Sequence, residues 1–323
     1  MRRAAALVLF TLSLLLVPIG WHNAAAPAAF PGAAPEALAQ GDPVIAAAGD
    51  IACDPADPDY NNGKGAPHAC RMGETADLIV ARRPAAVLAL GDTQYENGAL
   101  AKFQVSYEGS WGRFKAITHP AVGNHEYGTR GAAGYFEYFG AAAGEPAKGY
   151  YSFDIGAWHL VALNSNCRLA GGCGPGSPQE RWLRDDLAAN GRKACVLGFW
   201  HHPRFSSGPH GGDQTMDTLF RVLYEAGADV VLSGHDHDYE RFAQANPDGQ
   251  PDPTRGIRQF VAGTGGRSYY PFMRLVLTSE VRNSNTFGVL MLTLHPTSYD
   301  WEFVPERGKT FTDRGSTNCS PAR

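Results

Sequence analysis

Five apolar runs in this sequence end at a residue whose side chain can bind a metal ion. These residues are Asp50, Asp92, Asn124, His201 and His235. Where strands alternate with helices, ligand sites form at the carboxyl ends of the strands, so the five side chains should meet at one edge. Carboxylate, amide and imidazole donors suit Zn, Mn or Fe. Two such ions about 3.5–4 Å apart can hold the attacking and leaving oxygens of a phosphate ester. The pattern predicts a dinuclear metal site with Asp92 as the bridging carboxylate.

The run that ends at Asp92 continues as Gly91-Asp92-Thr93-Gln94-Tyr95. Tyr95 follows the carboxylate by three residues and can reach one of the ions as a hard oxygen ligand. A Gly-Asp pair after a strand is on its own more often a turn, because both residues suit turn geometry. The prediction therefore depends on the other motifs of the chain.

Hydrophobic periodicity predicts the elements that must position these residues. Three helices are predicted. The first covers 71–82, the second begins after the N-cap Ser177, where Glu180 completes a capping box, and the third covers 214–226 after the cap Asp213. Strands are predicted over 44–49, 85–90, 117–122, 150–155, 158–164, 194–200, 229–233, 257–262, 286–294 and 299–304. No internal repeat or linker divides residues 40–323, which we interpret as one domain.

The composition bounds the possible functions. The chain has 323 residues, 44% of them apolar or aromatic, which is enough to bury a sizeable core. Its net charge is -4 and it has no basic block, which argues against nucleic-acid binding because that needs a basic patch for the phosphates. The sequence does not indicate an oligomeric state.

The N-terminal segment 1–39 is typical of a secretory signal followed by an Ala/Pro-rich stretch. Arg2 and Arg3 precede an apolar region over 4–17, and Ala37-Leu38-Ala39 fits a cleavage site, with 24–26 as the competing site. An uncleaved anchor is the alternative, but the apolar region is short for a span of about 20 residues. We therefore expect a secreted protein without a membrane span after cleavage.

Six cysteines fit an oxidising compartment and allow 15 connectivities. Closeness in sequence favours two disulfides between neighbouring cysteines. The remaining two cysteines would then form a third disulfide that fixes the C-terminal segment. Cys53 lies three residues after Asp50, so a metal ligand is its alternative role. The expected pairs are Cys53–Cys70, Cys167–Cys173 and Cys195–Cys319.

Taken in order, the motifs resemble those of the calcineurin-like metallophosphoesterases and, more narrowly, of the purple acid phosphatases. The motifs are Gly49-Asp50, Gly91-Asp92-Thr93-Gln94-Tyr95, Gly123-Asn124-His125-Glu126, His201-His202-Pro203 and Gly234-His235-Asp236-His237. The resemblance implies an α/β fold of four layers, in which two mixed β-sheets pack as a sandwich flanked by helices. Because the first strand begins at Val44, the chain is similar to the small members that have only the catalytic domain.

The resemblance also implies two ions per chain and their ligands. One ion would be held by Asp50, Asp92, Tyr95 and His237. The other would be held by Asp92, Asn124, His201 and His235, with His202 as the alternative to His201. Many superfamily members have a histidine where this chain has Ala52, and Tyr95 would replace it. A phenolate favours Fe³⁺ at that position, and Zn²⁺, Mn²⁺ or Fe²⁺ would occupy the other.

The resemblance implies that three further histidines contact the phosphate or protonate the leaving group, namely His125, His210 and His202. The expected reaction is hydrolysis of a small phosphate monoester by direct in-line attack of metal-bound hydroxide. A phosphodiesterase on the same scaffold is the nearest alternative. An exported binding protein with a vestigial metal site is an alternative of another class.

Other polar residues of the motifs have two interpretations each. Glu126 either orients His125 or is a charge at the end of a strand. Asp236 is either an acceptor behind the metal ligands or a solvated charge. Arg241 and Arg267 either bind phosphate or are ordinary surface arginines, which is the better default.

Overall fold

Two mixed β-sheets form the centre of the computed structural model, which describes residues 41–190 and 193–320. The predicted signal segment 1–39 lies outside the described residues. Within them, no helix has both the length and the apolar character needed to cross a bilayer.

The first sheet has six strands in the order β13-β12-β11-β1-β2-β3. Its first three strands along the chain run parallel to one another, and β1 pairs with β11 antiparallel. The bounds are β1 Val44–Ala48, β2 Ala86–Leu90, β3 Thr118–Ala121, β11 Gly288–Leu294, β12 Ser298–Pro305 and β13 Arg314–Asn318.

The second sheet has seven strands in the order β10-β8-β9-β7-β6-β5-β4. Its four inner strands β5, β6, β7 and β9 are parallel, and antiparallel strands flank them on both sides. The bounds are β4 Tyr151–Ile155, β5 Trp158–Ala162, β6 Cys195–Phe199, β7 Val230–Ser233, β8 Tyr239–Phe242, β9 Arg258–Ala262 and β10 Ser279–Asn283.

Helices cover the outer face of each sheet. Against the first sheet, the side chains of Met72 and Tyr135 join the buried cluster that includes Val87. Against the second sheet, Leu183 and Leu219 pack in the cluster of Val231. The helices are α1 Met72–Arg82, α2 Leu100–Lys102, α3 Ala133–Phe139, α4 Pro178–Ala189 and α5 Asp217–Glu225.

Alternation along the strands builds the layers, because successive side chains of a strand point to opposite faces. In β1, Ile45 faces the other sheet, where it shares a buried cluster with Leu160 and Leu232. Its neighbour Ala46 faces the outer helices. The predicted four-layer sandwich of two mixed sheets flanked by helices is confirmed.

The helix starts differ from prediction in detail. Ser177 accepts a hydrogen bond from the Glu180 backbone N–H at 3.2 Å, as an N-cap should. The Glu180 carboxylate, however, accepts from the Gly176 N–H and pairs with Arg184, so the reciprocal half of the predicted capping box is not formed. Asp213 caps a short 3₁₀ turn, and α5 begins only at Asp217.

All three expected disulfides are present, joining Cys53 to Cys70, Cys167 to Cys173 and Cys195 to Cys319. The sulfur of Cys53 is therefore not a free thiol for a metal. The last bridge joins the first residue of β6 to the segment that follows β13, and it spans 124 residues of sequence.

Candidate metal centre

The predicted ligands follow the carboxyl ends of five parallel strands that come from both sheets. The first sheet supplies Asp50, Asp92 and Asn124, and the second supplies His201 and His235. Three of these residues have left-handed backbone conformations, with φ of 60° at Asp50, 45° at Asp92 and 73° at His235. Such conformations cost about 1–3 kcal/mol each and concentrate at functional sites.

Four donor atoms meet on one side of the edge where these strands end. We call the residues that carry these atoms the first donor group. The Tyr95 hydroxyl lies 2.9 Å from Asp50 Oδ1, 3.3 Å from Asp92 Oδ2 and 3.0 Å from His237 Nε2. All four side chains are buried. The sequence-predicted set for one ion is thus brought together.

The second donor group lies beside the first and shares Asp92 with it. Its central atom is His201 Nε2, which lies 3.1 Å from Asp92 Oδ2 and 3.1 Å from Asn124 Oδ1. The same nitrogen lies 3.2 Å from His235 Nδ1. One oxygen, Asp92 Oδ2, therefore contacts donors of both groups.

The spacing and chemistry of these atoms fit metal ions. Two donors roughly 2.1 Å from a common ion, at tetrahedral or octahedral angles, lie roughly 3.0–3.4 Å from each other. The observed separations of 2.9–3.3 Å agree. Among the described residues, no Lys or Arg side chain hydrogen-bonds to the buried carboxylates of Asp50 or Asp92, which instead contact the imidazoles of His237 and His201.

The carboxylate oxygens that face away from the donor groups accept backbone hydrogen bonds. Asp50 Oδ2 accepts from the His235 N–H at 2.8 Å, and Asp92 Oδ1 accepts from the His125 N–H at 2.9 Å. These hydrogen bonds fix each carboxylate and leave its other oxygen free for an ion. Groups behind metal ligands usually orient the ligands in this way.

The imidazoles are oriented in the same way. His201 Nδ1 lies 2.9 Å from the Leu90 carbonyl oxygen, and His237 Nδ1 lies 2.8 Å from the Ser268 hydroxyl. These partners leave Nε2 of both rings facing the donor groups.

Two motif glycines permit this approach of the loops. Gly91 has φ of +82°, and a Cβ atom there would lie 2.6 Å from Cβ of His201. A Cβ atom at Gly123 would overlap the Asp92 side chain. A side chain at either position would therefore push a candidate ligand out of place.

Glu126 joins the two loops that carry Asp92 and Asn124. Its buried carboxylate accepts hydrogen bonds from the backbone N–H groups of Thr93 at 2.8 Å and Gln94 at 3.1 Å. The other oxygen accepts from the Gly123 N–H at 2.8 Å. Neither predicted role is right, because Glu126 binds loop backbone and does not orient the His125 ring.

Burial and charge act against each other at the centre. Burial would raise the pKa of Asp92, but the adjacent His201 holds that pKa far below its usual range. Burial would lower the pKa of His201, but Asp92 raises it to about 9. Burial, with Asp50 and Asp92 nearby, holds the pKa of Tyr95 well above its usual value. The Tyr95 phenol therefore needs a cation to lose its proton at neutral pH.

His125 lies at the exposed side of the centre. Its Nδ1 lies 2.6 Å from the Glu96 carbonyl oxygen, and its Nε2 lies 3.9 Å from Asp92 Oδ2. Its ring rests on the Tyr95 ring with the centroids 4.3 Å apart. Nε2 is therefore available to a group that approaches the shared oxygen from solvent.

His210 lies over the second donor group, with its ring centroid 4.2 Å from that of His235. Asp236 Oδ1 accepts hydrogen bonds from His210 Nδ1 at 2.7 Å and from the His210 backbone N–H at 3.2 Å. The other Asp236 oxygen accepts from the Ser206 hydroxyl. The hydrogen bond to Asp236 raises the pKa of His210. Asp236 is thus a buried acceptor, as the first of its two interpretations holds.

His202 is directed differently from His201. Its Nδ1 lies 2.8 Å from the Ser165 hydroxyl, while its ring lies 4.4 Å from that of His235. Burial, followed by the charge of His201, lowers the pKa of His202 to about 3. His201 supplies the nitrogen that contacts Asp92 and Asn124, and a ring nitrogen of His202 lies within 4.8 Å of ring nitrogens of His201 and His235.

Both arginines already have acidic partners. Arg241 pairs with Asp313 at 2.7 Å and with Glu280, away from the donor groups. Arg267 pairs with Glu96 at 2.7 Å, and its guanidinium lies 5.2 Å from the centroid of the Tyr95 ring. Both arginines are ion-paired and partly buried, and Arg267 lies against the Tyr95 side of the first donor group.

Sequence reasoning missed Tyr270, whose ring stacks on that of His237 at 3.9 Å with an interplanar angle of 8°. Only the glycine-rich stretch 263–266 hinted that the following loop lies close to the site. A Cβ atom at Gly263 would meet the Asp50 carboxylate at 2.8 Å. The stretch therefore brings backbone close to the site.

Two mixed sheets that present oxygen and imidazole donors at their strand ends define a metallophosphoesterase. The chain belongs to the calcineurin-like phosphoesterase family, whose sequence profile matches residues 44–239. Within this family it is similar to the purple acid phosphatases, and its relatives imply a dinuclear metal centre.

Individual relatives agree. Purple acid phosphatase 18 of Arabidopsis thaliana is 31% identical over 123 residues, which are 36% of this chain and 27% of that protein. Purple acid phosphatase 15 of the same plant is 26% identical over 204 residues, 52% of this chain and 38% of that protein. The matches thus span less than half of these relatives. The purple acid phosphatase PPD1 of yellow lupin superposes with a TM-score of 0.70 at 18% identity, over 87% of this chain and 55% of that one, and shows the shared fold.

Proposed function

We propose that this chain is an exported phosphoesterase that hydrolyses small phosphate monoesters at a dinuclear metal centre. The observation that carries the proposal is the position of Asp92 Oδ2, which lies 3.3 Å from Tyr95 Oη and 3.1 Å from His201 Nε2. One carboxylate oxygen in contact with both donor groups is the arrangement that a bridging ligand needs. Similarity to the purple acid phosphatases supports it.

The proposed ligands are the seven side chains of the two donor groups. Bound cations would lower the pKa of a water molecule and neutralise the charge of the phosphoryl group. The hard oxygen donors Asp50 and Tyr95 favour Fe³⁺ in the first group. The two histidines and Asn124 suit Zn²⁺, Mn²⁺ or Fe²⁺ in the second.

The histidines around the donor groups would act on the phosphate ester itself. His125 presents Nε2 on the exposed side of the shared oxygen and is our candidate for protonating the leaving oxygen. His210, fixed by Asp236, would contact a phosphate oxygen from the opposite wall. His202 would supply a third contact. Ser165 engages its Nδ1, which leaves Nε2 for the phosphate.

Export is supported by the three disulfides, since such bridges are rare in reducing compartments. The N-terminal sequence is consistent with it. Secretion of the full chain with loss of residues 1–39 from the mature product is the expected outcome when the chain is expressed in a secreting host.

The test is metal analysis of the purified exported protein together with turnover of p-nitrophenyl phosphate and bis(p-nitrophenyl) phosphate. We expect about two metal ions per chain and a preference for the monoester. Preference for the diester would replace the phosphatase by a phosphodiesterase. Absence of bound metal and of activity after metal addition would favour a binding protein with a vestigial site.

A further inference from the structure

An exposed apolar segment borders the candidate centre. Within the described residues, six large apolar side chains are exposed, and three of them are Met273, Leu275 and Leu277, with exposed fractions of 70%, 61% and 73%. Isolated exposed apolar residues are ordinary, but an exposed cluster commonly marks a binding surface. We call residues 273–277 the apolar rim.

The backbone of the rim is fastened to the protein. The N–H groups of Met273 and Arg274 donate to the carbonyl oxygen of the buried residue Ser207, at 2.8 and 3.3 Å. The Val276 N–H donates to the Ser207 hydroxyl at 3.0 Å. The apolar side chains therefore project from a segment whose backbone is anchored to Ser207.

A groove of about 580 Å³ runs between the rim and the loop that carries His210. The opposite wall is formed by residues 208–212, in which Gly211 and Gly212 leave the groove open. A second cavity of about 340 Å³ shares His210 and both glycines, and it reaches His202 and His235. The groove and this second cavity therefore meet at His210, Gly211 and Gly212, the lining residues that they share.

We propose that this groove binds the organic part of the substrate, and that the preferred substrates are phosphate monoesters of amphiphilic alcohols with an extended apolar chain. The inference rests on the proposed function, because a phosphoryl group at the donor groups would direct its ester substituent past His210 into the groove. Of the residues that the structure describes, Arg274 alone among Lys and Arg lines the groove, whereas a polyphosphate substituent would require several cations.

The test compares kcat/KM of the metal-loaded protein for butyl, hexyl and octyl phosphate, each kept below its critical micelle concentration. Complete burial of a methylene gives about a fourfold gain, and half-burial in an open groove gives about a twofold gain. We therefore expect octyl phosphate to exceed butyl phosphate by about 16-fold. A hexose phosphate, which is polar throughout, should not share this gain.

The variant that tests the rim combines Leu275→Ser with Leu277→Ser, and its octyl-to-butyl ratio should fall below about fourfold. The matched control combines Val80→Ser with Val105→Ser, two exposed valines that do not line the groove. It should keep the wild-type ratio. Calorimetric binding of octylphosphonate and butylphosphonate, which cannot be hydrolysed, should show the same ratios without turnover.

The outcomes separate the two proposals. A wild-type protein that neither binds phosphonates nor hydrolyses any ester would defeat the proposed function. Hydrolysis of all three alkyl phosphates with equal kcat/KM would overturn the groove assignment alone. Two other results without a chain-length preference would also overturn the groove assignment. One is co-sedimentation with vesicles of phosphatidylcholine and phosphatidylglycerol, and the other is a dimer that the rim variant dissociates.

Discussion

One carboxylate oxygen of Asp236 accepts two hydrogen bonds from His210, one from the ring Nδ1 at 2.7 Å and one from the backbone N–H at 3.2 Å. Asp236 lies between His235 and His237 in sequence and is fully buried. The loop that carries His210 is thereby attached to the loop of two proposed ligands, and His210 Nε2 is left to face a substrate.

This attachment predicts that His210 and Asp236 act as one unit. His210→Ala should lower kcat/KM by about 10²-fold, the usual effect of removing one positioned hydrogen-bond donor to the charge of the transition state. Asp236→Ala should lower it nearly as much, and the double variant should be little worse than His210→Ala. A double-mutant cycle measures this coupling. The remote pair His295 and Asp300 is the matched control, and multiplying effects at His210 and Asp236 would contradict the prediction.

Asp92 contacts both donor groups, whereas His237 contacts only the first. Asp92→Asn should therefore reduce the bound metal by more than one ion per chain and abolish activity. His237→Ala should remove about one ion of the expected two. Elemental analysis after dialysis against trace metal measures both. Loss of a single ion from Asp92→Asn, or full activity with metal retained, would argue against the bridging role.

Tyr95 is the phenol of the first donor group, so iron bound there should show a tyrosinate charge-transfer band. Tyr95→Phe should remove the visible band of the iron-loaded protein because it removes the oxygen donor. Tyr270→Phe is the control, since Tyr270 stacks on His237 but supplies no atom to the donor groups. A band that survives Tyr95→Phe, or two colourless ions in the wild type, would remove the iron assignment.

Glu126 holds two ligand loops through four hydrogen bonds. In Glu126→Gln one oxygen becomes an NH₂ donor that faces the Gly123 N–H. We expect a loss of about 2–3 kcal/mol in the free energy of unfolding and weaker metal binding. Urea unfolding measures the first effect. Glu74→Gln on the surface of α1 is the control and should change stability by less than about 0.5 kcal/mol.

His159 should make stability depend on pH. The buried ring bonds Asp154 and Asp186, both at 2.8 Å. Burial lowers the pKa of His159, but the two carboxylates raise it further, to a value above its ordinary one. A raised folded-state pKa adds stability that is fully present below the unfolded pKa of about 6.5 and is lost as pH rises through the folded-state pKa.

His159→Gln should therefore destabilise the protein by about 1.5–3 kcal/mol at pH 5 and by less at pH 9. The measurement is the difference in urea unfolding between variant and wild type at each pH. A difference that does not change with pH would show that the charge on His159 is not involved.

Much of the candidate site could be predicted because strand topology places it. Each of the five strand-end residues follows directly from an apolar run, and parallel strands bring their carboxyl ends to one edge. Two of the disulfides could be predicted from closeness in sequence, and the third pair, Cys195–Cys319, then remained. The preference for His201 over His202 came from the resemblance, and the contacts of His201 Nε2 with Asp92 and Asn124 support it.

The rest depends on encounters between distant loops, which local sequence does not encode. Glu126 meets backbone N–H groups more than 30 residues earlier in the chain, so its role depends on the fold as a whole. Asp236 and His210 are 26 residues apart and belong to different loops. The apolar rim carries no regular strand or helix, and its alternation was therefore not recognised as part of the site.

The donor groups draw on both sheets, so a cation held there would also join the two halves of the sandwich. An ion that binds the native chain and not the unfolded one adds about 2.7 kcal/mol of stability at 100 times its dissociation constant. For the exported protein that we propose, the lifetime of the chain would then depend on the supply of trace metals in its surroundings. Depletion of those metals would expose the chain to proteolysis as well as stop its catalysis.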